Sequence, residues 1–196
     1  KWVIFTIIAT GNFLGMLDST IVNLALYPMA RDLGVSISLV QWVIIAYTLI
    51  LTVFLPFWGK IGDLVPKNKL YATGFALFAA GSFLNVCAQS LPMLILFRCI
   101  EALGASIIIS NASSVIASLF KGKDRGKALG LNGCIVAVGG LLGPSLGGML
   151  LQLFNWHAIF VPAIPVAVFG IYYSYKMVPS VIAQKEKLKF DYPGFI

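Results

Sequence analysis

The chain has 196 residues, 59% of them hydrophobic and only 11% charged, with a mean hydropathy of +0.93. A soluble domain carries about 25% charged residues, so this composition excludes an ordinary water-exposed globular fold. The net charge of +7 invites a nucleic-acid reading, but the basic residues follow the hydropathy pattern along the chain, which points to a membrane surface and not to nucleic acid.

Residues 2–17, 33–59, 70–97, 102–120 and 128–175 contain no Asp, Glu, Lys or Arg. A spanning helix takes roughly 20 apolar residues, and 128–175 holds two, with Asn155-Trp156-His157 as the turn between them. The pattern predicts spans near 3–27, 39–58, 70–88, 91–119, 128–153 and 157–178. The expected fold is an all-α membrane protein, a six-transmembrane-helix bundle over residues 1–178, with neighbours antiparallel because the connections are short. The first span is too long for a signal peptide and lacks a small-residue cleavage site. Threading the spans back and forth puts Lys1, Lys60, Lys67, Lys69, Lys121, Lys123, Arg125, Lys127, Lys176, Lys185, Lys187 and Lys189 on one side; Arg31 lies opposite and Arg98 within a span. The positive-inside rule then places both chain ends in the cytoplasm of a multi-pass plasma-membrane protein. Residues 179–196 read as a cytoplasmic linker leading into a further span. The missing initiator Met and the apolar last residues suggest a piece of a longer protein.

The first span carries Asp18, and the fourth carries Arg98 and Glu101. At 1.5 Å per residue, Asp18 lies about 13 Å below the outer end of its helix, Arg98 about 10 Å and Glu101 about 15 Å, so the three share one layer. An ionised side chain at mid-membrane costs at least about 2.5–3.5 kcal/mol. Each therefore needs a partner, a water-filled cavity or a proton, and the layer reads either as a structural ion-pair cluster or as a proton-coupling site. The loop after the second span holds Gly59, Asp63 and Lys67. Asp63 ends a helix whose dipole is already negative there, so it calls for a cation; Lys67, Lys69 and Arg125 are candidates, with Asp63–Arg125 expected as a gate latch at the cytoplasmic face. In the fifth span Gly139, Gly143 and Gly147 repeat every four residues, beside Gly140, Pro144 and Gly148. Such a stripe admits another helix closely, and it is expected to face a helix outside the bundle. His157, beside Trp156, reads as an interfacial anchor, and Tyr47 as an interface or packing aromatic. Cys87, Cys99 and Cys134 lie inside spans and form neither a disulfide framework nor a metal-ligand spacing. No cofactor, metal or enzymatic constellation is expected.

These residues together resemble the major facilitator superfamily, and more narrowly its drug:proton antiporters with fourteen spans. Leu17-Asp18-Ser19-Thr20-Ile21-Val22-Asn23-Leu24-Ala25-Leu26 is similar to that group's first-helix motif, with Tyr27 where Pro is usual. Gln41-Trp42, Tyr47, Pro56 and Gly59 resemble its second helix. Residues 59–69 resemble the loop motif G-x-L-x-D-R-x-G-R-K, with Leu64 and Pro66 as departures. Arg98 to Gly104 resembles R-x-x-Q-G-x-G, with Glu101 for Gln and Ala102 for Gly. Gly139 to Gly148 fits the antiporter motif G-x-x-x-G-P-x-x-G-G at every fixed position. Phe190-Asp191-Tyr192-Pro193-Gly194 is similar to the lead into a seventh span. The resemblance implies one half of a superfamily fold, working by alternating access with a missing carboxyl-terminal half. Protons would be exchanged for lipophilic or cationic drugs in a bacterial membrane. Asn23, Tyr47 and Asn111 are candidates for the substrate cavity. The alternatives are a six-span accessory subunit without transport of its own, or a transporter of another small molecule.

Overall fold

The computed structural model describes residues 1–178, which are helical without a strand. Helix α1 spans Trp2–Asp32, α2 is a single turn at Ile37–Val40, and α3 spans Trp42–Ile61. Then follow α4 (Lys67–Val86), α5 (Leu91–Leu119), α6 (Lys123–Leu153), a 3-10 turn at Trp156–Phe160, and α7 (Ala163–Met177). With α2 and α3 as one unit, and the 3-10 turn with α7 as another, the six long units form the expected bundle. The expected linker at 179–193 and the lead into a further span lie outside the described residues.

Helix ends depart from the hydropathy limits for local reasons. Pro28 lies inside α1, which continues to Asp32, because one proline removes one backbone hydrogen bond and need not end a helix that packing supports. The stop comes at Gly34. Its φ of 64° is the left-handed value glycine adopts freely, and the Val35 amide reaches back to the Ala30 carbonyl at 3.0 Å, the usual helix terminator. Helix α6 begins at Lys123, ahead of the apolar stretch, with Asp124 in its first turn, where the helix dipole favours a negative charge. Hydropathy marks what enters the membrane, not where the helix starts.

Five units are long and apolar enough to cross a membrane by length and composition. Helix α4, of 20 residues, is the less apolar one. Its Gly74, Gly81, Ser82 and Asn85 are nonetheless buried, because it wedges between α5 and α7. The main pairings are α1 with α6, α3 with α5, and α4 with both α5 and α7. The core divides into two apolar clusters. One gathers Tyr71, Phe75, Phe78, Ile108 and Val115; the other gathers Met29, Val43, Leu94, Trp156 and Phe160. On α5, Arg98 and Glu101 fall between Leu94 of the second cluster and Ala102 of the first. Helices α3 and α6 bury little of themselves. Leu49, Val53, Leu141 and Leu153 are exposed on them, an apolar outer surface suited to lipid or to further helices. One end of the bundle, where α3 turns into α4 and α5 into α6, carries Lys60, Lys67, Lys69, Lys121 and Lys123 and is here called the basic end.

Candidate functional site

The three charges of the apolar interior meet as the depth arithmetic predicts. Arg98, 1% exposed, donates from the same Nη1 to Asp18 Oδ2 at 2.7 Å and to Glu101 Oε2 at 2.6 Å. Its guanidinium lies over the Tyr47 ring, 4.0 Å from the centroid, with Phe160 further off at 5.7 Å. Such stacking compensates part of the lost hydration of a buried cation. The two carboxylates are held unequally. Glu101 is fully buried and also accepts from Ser82 Oγ and Asn85 Nδ2, both at 2.6 Å. For Asp18 the carboxylate's bond is the one from Arg98. Two carboxylates against one guanidinium leave one excess negative charge when all three are ionised.

Next to this layer is a cavity of about 370 Å³. Its polar lining is Asn12 and Ser19 from α1, Tyr47 and Thr48 from α3, Ser113 from α5 and Asn132 from α6, and the rest is small or apolar. Tyr47 belongs to both places, since its ring lines the cavity and also underlies Arg98. Asn12 Nδ2 donates to Asn132 Oδ1 at 3.0 Å, joining α1 to α6. Tyr47 lines this cavity, whereas Asn23 and Asn111, the other two residues expected at a substrate cavity, do not. Asn23 is exposed and turns back to the Ser19 carbonyl of its own helix at 2.8 Å. Asn111 is buried near the basic end.

At that end Asn111 Oδ1 accepts from Lys67 Nζ at 2.9 Å, and its Nδ2 donates to the Trp58 carbonyl at 3.2 Å. The amide fits because Gly62 has no side chain; a Cβ there would overlap Asn111 Oδ1. Lys67 also lies 3.7 Å from Asp63. The expected Asp63–Arg125 latch is therefore replaced by Asp63–Lys67. The two are four residues apart across a tight turn, whereas Arg125 is exposed on the first turns of α6 and forms no ion pair among the described residues. Gly59 has open space around it.

Residues 8–190 match the family model of the Major Facilitator Superfamily. The chain belongs to this superfamily. It is a multi-pass membrane protein of a transporter superfamily. Among curated relatives, it is 36% identical over 196 residues to the riboflavin transporter RibZ of Clostridioides difficile, covering 100% of this chain and 43% of that protein. It is 34% identical over 170 residues to the multidrug transporter protein MdtP of Bacillus subtilis, covering 85% of this chain and 31% of that one. The chain thus spans less than half the length of these relatives. The solved structure of the superfamily's proton:xylose symporter XylE superposes with a TM-score of 0.80 at 14% identity, over 91% of this chain and 45% of that one. At that identity the likeness concerns the fold, and it identifies the bundle as one half of a superfamily fold.

The glycine stripe of α6 sits differently from expectation. It does not face outward; it presses α6 against α1. A Cβ on Gly139 would stand 2.9 Å from the Phe13 carbonyl oxygen, one on Gly143 would overlap Thr20 Oγ1, and one on Gly147 would stand 3.3 Å from Ile21 and Leu24 side-chain carbons. Gly148 has nothing nearby, and Pro144 is exposed. Repeat spacing announces that a helix approaches closely but not which one, and within this half the helix is α1. Sequence reasoning also overlooked Ser82 and Asn85, since neither is charged. Their signal was an i,i+3 polar pair following Gly81, where a Cβ would lie 2.6 Å from Glu101 backbone atoms. At the end opposite the basic one, buried Trp156 donates from Nε1 to Asp32 Oδ2 at 2.7 Å, and His157 stacks on it and bonds the Ala88 carbonyl at 2.9 Å. His157 thus fastens two turns together and is not a free interfacial anchor.

Proposed function

We propose that this chain is the amino-terminal half of a proton-coupled antiporter that exports lipophilic or cationic drug-like molecules from a bacterial cell by alternating access. The observation that carries this reading is the single Arg98 Nη1 shared by Asp18 and Glu101. The ionised cluster holds one negative charge too many, in surroundings where a mid-membrane charge costs about 2.5–3.5 kcal/mol or more, and one proton removes the excess. Asp18 is the carrier on this reading. It relies on one guanidinium bond where Glu101 has three donors, and its neighbour Ser19 already lines the cavity. The fit of Gly139–Gly148 to the antiporter motif favours exchange over symport. The basic end is cytoplasmic, and the Asp63–Lys67–Asn111 contacts tie its loop to α5 as part of the inner gate.

The identity to RibZ along the whole chain favours a second reading of the cargo, namely riboflavin or a molecule like it. Both readings meet one test. In everted membrane vesicles holding the full-length protein, substrate-dependent proton flux is expected in the wild type and absent in Asp18→Asn. Undiminished flux in Asp18→Asn removes Asp18 from the mechanism. Competition for transport between riboflavin and a lipophilic cation then separates the cargoes.

A further inference from the structure

The charged layer and the cavity beside it share one side chain. Neither Asp18, Arg98 nor Glu101 is among the residues that line the cavity. Among the described lining residues, Tyr47 is the one stacked on a member of the layer, with the Arg98 guanidinium 4.0 Å from its ring centroid. A molecule occupying the cavity therefore reaches the layer through this ring. Val43 and Tyr47 are the residues that α3 buries, so the ring is where that sparsely buried helix enters the interior.

Two features make that contact responsive. The Tyr47 hydroxyl forms no hydrogen bond, so the ring is placed by packing and by Arg98 and is not tethered at its tip. Arg98 holds both acids from the same Nη1. Glu101 has Ser82 and Asn85 as further donors, whereas Asp18 depends on the guanidinium, so a change at Arg98 is felt first at Asp18. With the ring tilted by cargo, Arg98 has the carboxylates alone for compensation and draws harder on Asp18, which opposes a proton there. With Asp18 protonated, Arg98 leans on the ring and holds it against displacement. Stacking of a desolvated cation on an aromatic face is worth about 2- to 30-fold in an equilibrium. Among the described residues, the charged or titratable groups set against Asp18 are Arg98 and Glu101 on α5 and Tyr47 on α3. Helix α6 meets this part of α1 with Gly139 and Gly143, and His157 of the 3-10 turn bonds the Ala88 carbonyl instead. Those of α7, from Tyr172 to Lys176, lie toward the basic end.

We propose that Tyr47 is a positioning residue for Arg98, through which cargo in the cavity and the proton on Asp18 each lower the other's affinity. The inference rests on the transport reading above and supplies its coupling route. Such coupling is reciprocal, so it is read as the pH dependence of cargo binding to the purified full-length transporter, without a proton gradient. The probes are riboflavin and tetraphenylphosphonium, neither of which changes charge near neutral pH. Whichever binds the wild type is expected to lose about 5- to 150-fold in affinity from mildly alkaline to mildly acid pH. Tyr47→Met, close in volume, should shrink that span by about 2- to 30-fold and leave binding at alkaline pH little changed. Tyr47→Phe keeps the ring and should match the wild type. Tyr47→Leu is the second ring-free variant, with every unfolding midpoint recorded, in case the methionine variant does not fold. An undiminished span without the ring, loss of binding at every pH without it, or a collapsed span in Tyr47→Phe each overturns the proposal. A wild type that binds neither probe, or binds without pH dependence, overturns it as well. Proton flux in vesicles of Asp18→Asn judges the transport reading separately: flux abolished there beside an undiminished span in Tyr47→Met removes this route and leaves Asp18 as the carrier.

Discussion

Alanine at Gly143 probes the contact that holds α6 on α1. A Cβ there would overlap the Thr20 hydroxyl oxygen and lie 2.8 Å from Thr20 Cβ and 3.4 Å from the Ile21 nitrogen. Unstrained carbon–carbon contacts sit at about 3.5–4.0 Å, so either the helices part by about 1 Å or Thr20 rotates away. Rotation is hindered, because Thr20 Oγ1 bonds the Met16 and Leu17 carbonyls, both at 2.9 Å. Overpacking of this kind costs about 1–3 kcal/mol, which is about 5- to 150-fold in an equilibrium. Gly148 belongs to the same glycine run, yet a Cβ there meets nothing within 4 Å, and alanine for a helical glycine with free space around it is neutral or gains up to about 1 kcal/mol. In the purified full-length protein, Gly143→Ala should lower the unfolding midpoint by the equivalent of about 1–3 kcal/mol, while Gly148→Ala leaves it intact. Adding Thr20→Ala to Gly143→Ala removes the overlapping oxygen and should return more than half of the loss. Equal losses at Gly143 and Gly148, or no relief from Thr20→Ala, would refute the reasoning.

Gly81→Ala should prevent α4 and α5 from closing, because its Cβ would meet Glu101 backbone atoms at 2.6 Å; the expected readout is loss of folded protein in detergent, with Gly133→Ala, in open space, as the unaffected control. Lys67→Met should lower stability by about 1–3 kcal/mol by stranding the buried Asn111 oxygen, whereas Arg125→Ala leaves the unfolding midpoint unchanged. Cys87 is exposed at the end opposite the basic one, so an impermeant maleimide should label it from outside intact cells when Cys99 and Cys134 are replaced by serine; labelling only after the cells are opened would reverse the proposed orientation. Glu101→Gln should lose about 1.5–3 kcal/mol of stability, the range for hydrogen bonds to a charged group, and keep substantial transport. Asp18→Asn should fold normally and lose proton coupling, and the opposite assignment of these two phenotypes would count against the proposed carrier.

The charged layer was legible in the sequence because a membrane interior admits few ionised groups and each must find a counterpart. Asp18, Arg98 and Glu101 needed only the helical rise to be brought to one depth. The spans were legible for the same reason, apart from the helix ends, which hydropathy does not encode. What stayed hidden is what uncharged groups do. The Ser82/Asn85 pair after Gly81 signals a polar helix face, but nothing in it names Glu101 as the partner. Asn111 lies deep in an apolar helix and invited a cavity role, yet its partner is Lys67, and that pairing depends on how the 59–69 turn folds back past Gly62. The Gly139–Gly147 stripe encodes closeness without naming a neighbour. Asp63 had several cations within sequence reach, and the local i,i+4 geometry won over a lysine- and arginine-rich segment that turned out to be an exposed helical turn.

The unequal support of the two acids divides the bundle. Glu101 is fixed within the α4–α5 pair: Ser82 and Asn85 bind it from α4, and Gly81 lets the two backbones close. Asp18 lies on α1, and the places where α6 presses that helix, at Phe13 and Leu17 opposite Gly139 and at Thr20 and Ile21 opposite Gly143, lie on either side of it. Asp18 is therefore carried by an α1–α6 pair that is itself tightly joined, and Arg98 Nη1 is the ionic bond between the two pairs. On the proposed reading, a proton on Asp18 takes the charge out of that bond, while Glu101 keeps Arg98 where it is. Protonating Glu101 would instead weaken contacts inside α4–α5 and leave the junction with α1 ionised. Only the first event loosens one helix pair relative to the other, which is the kind of displacement alternating access requires. The same geometry gives the two acids different places in the bundle even though one guanidinium nitrogen serves both.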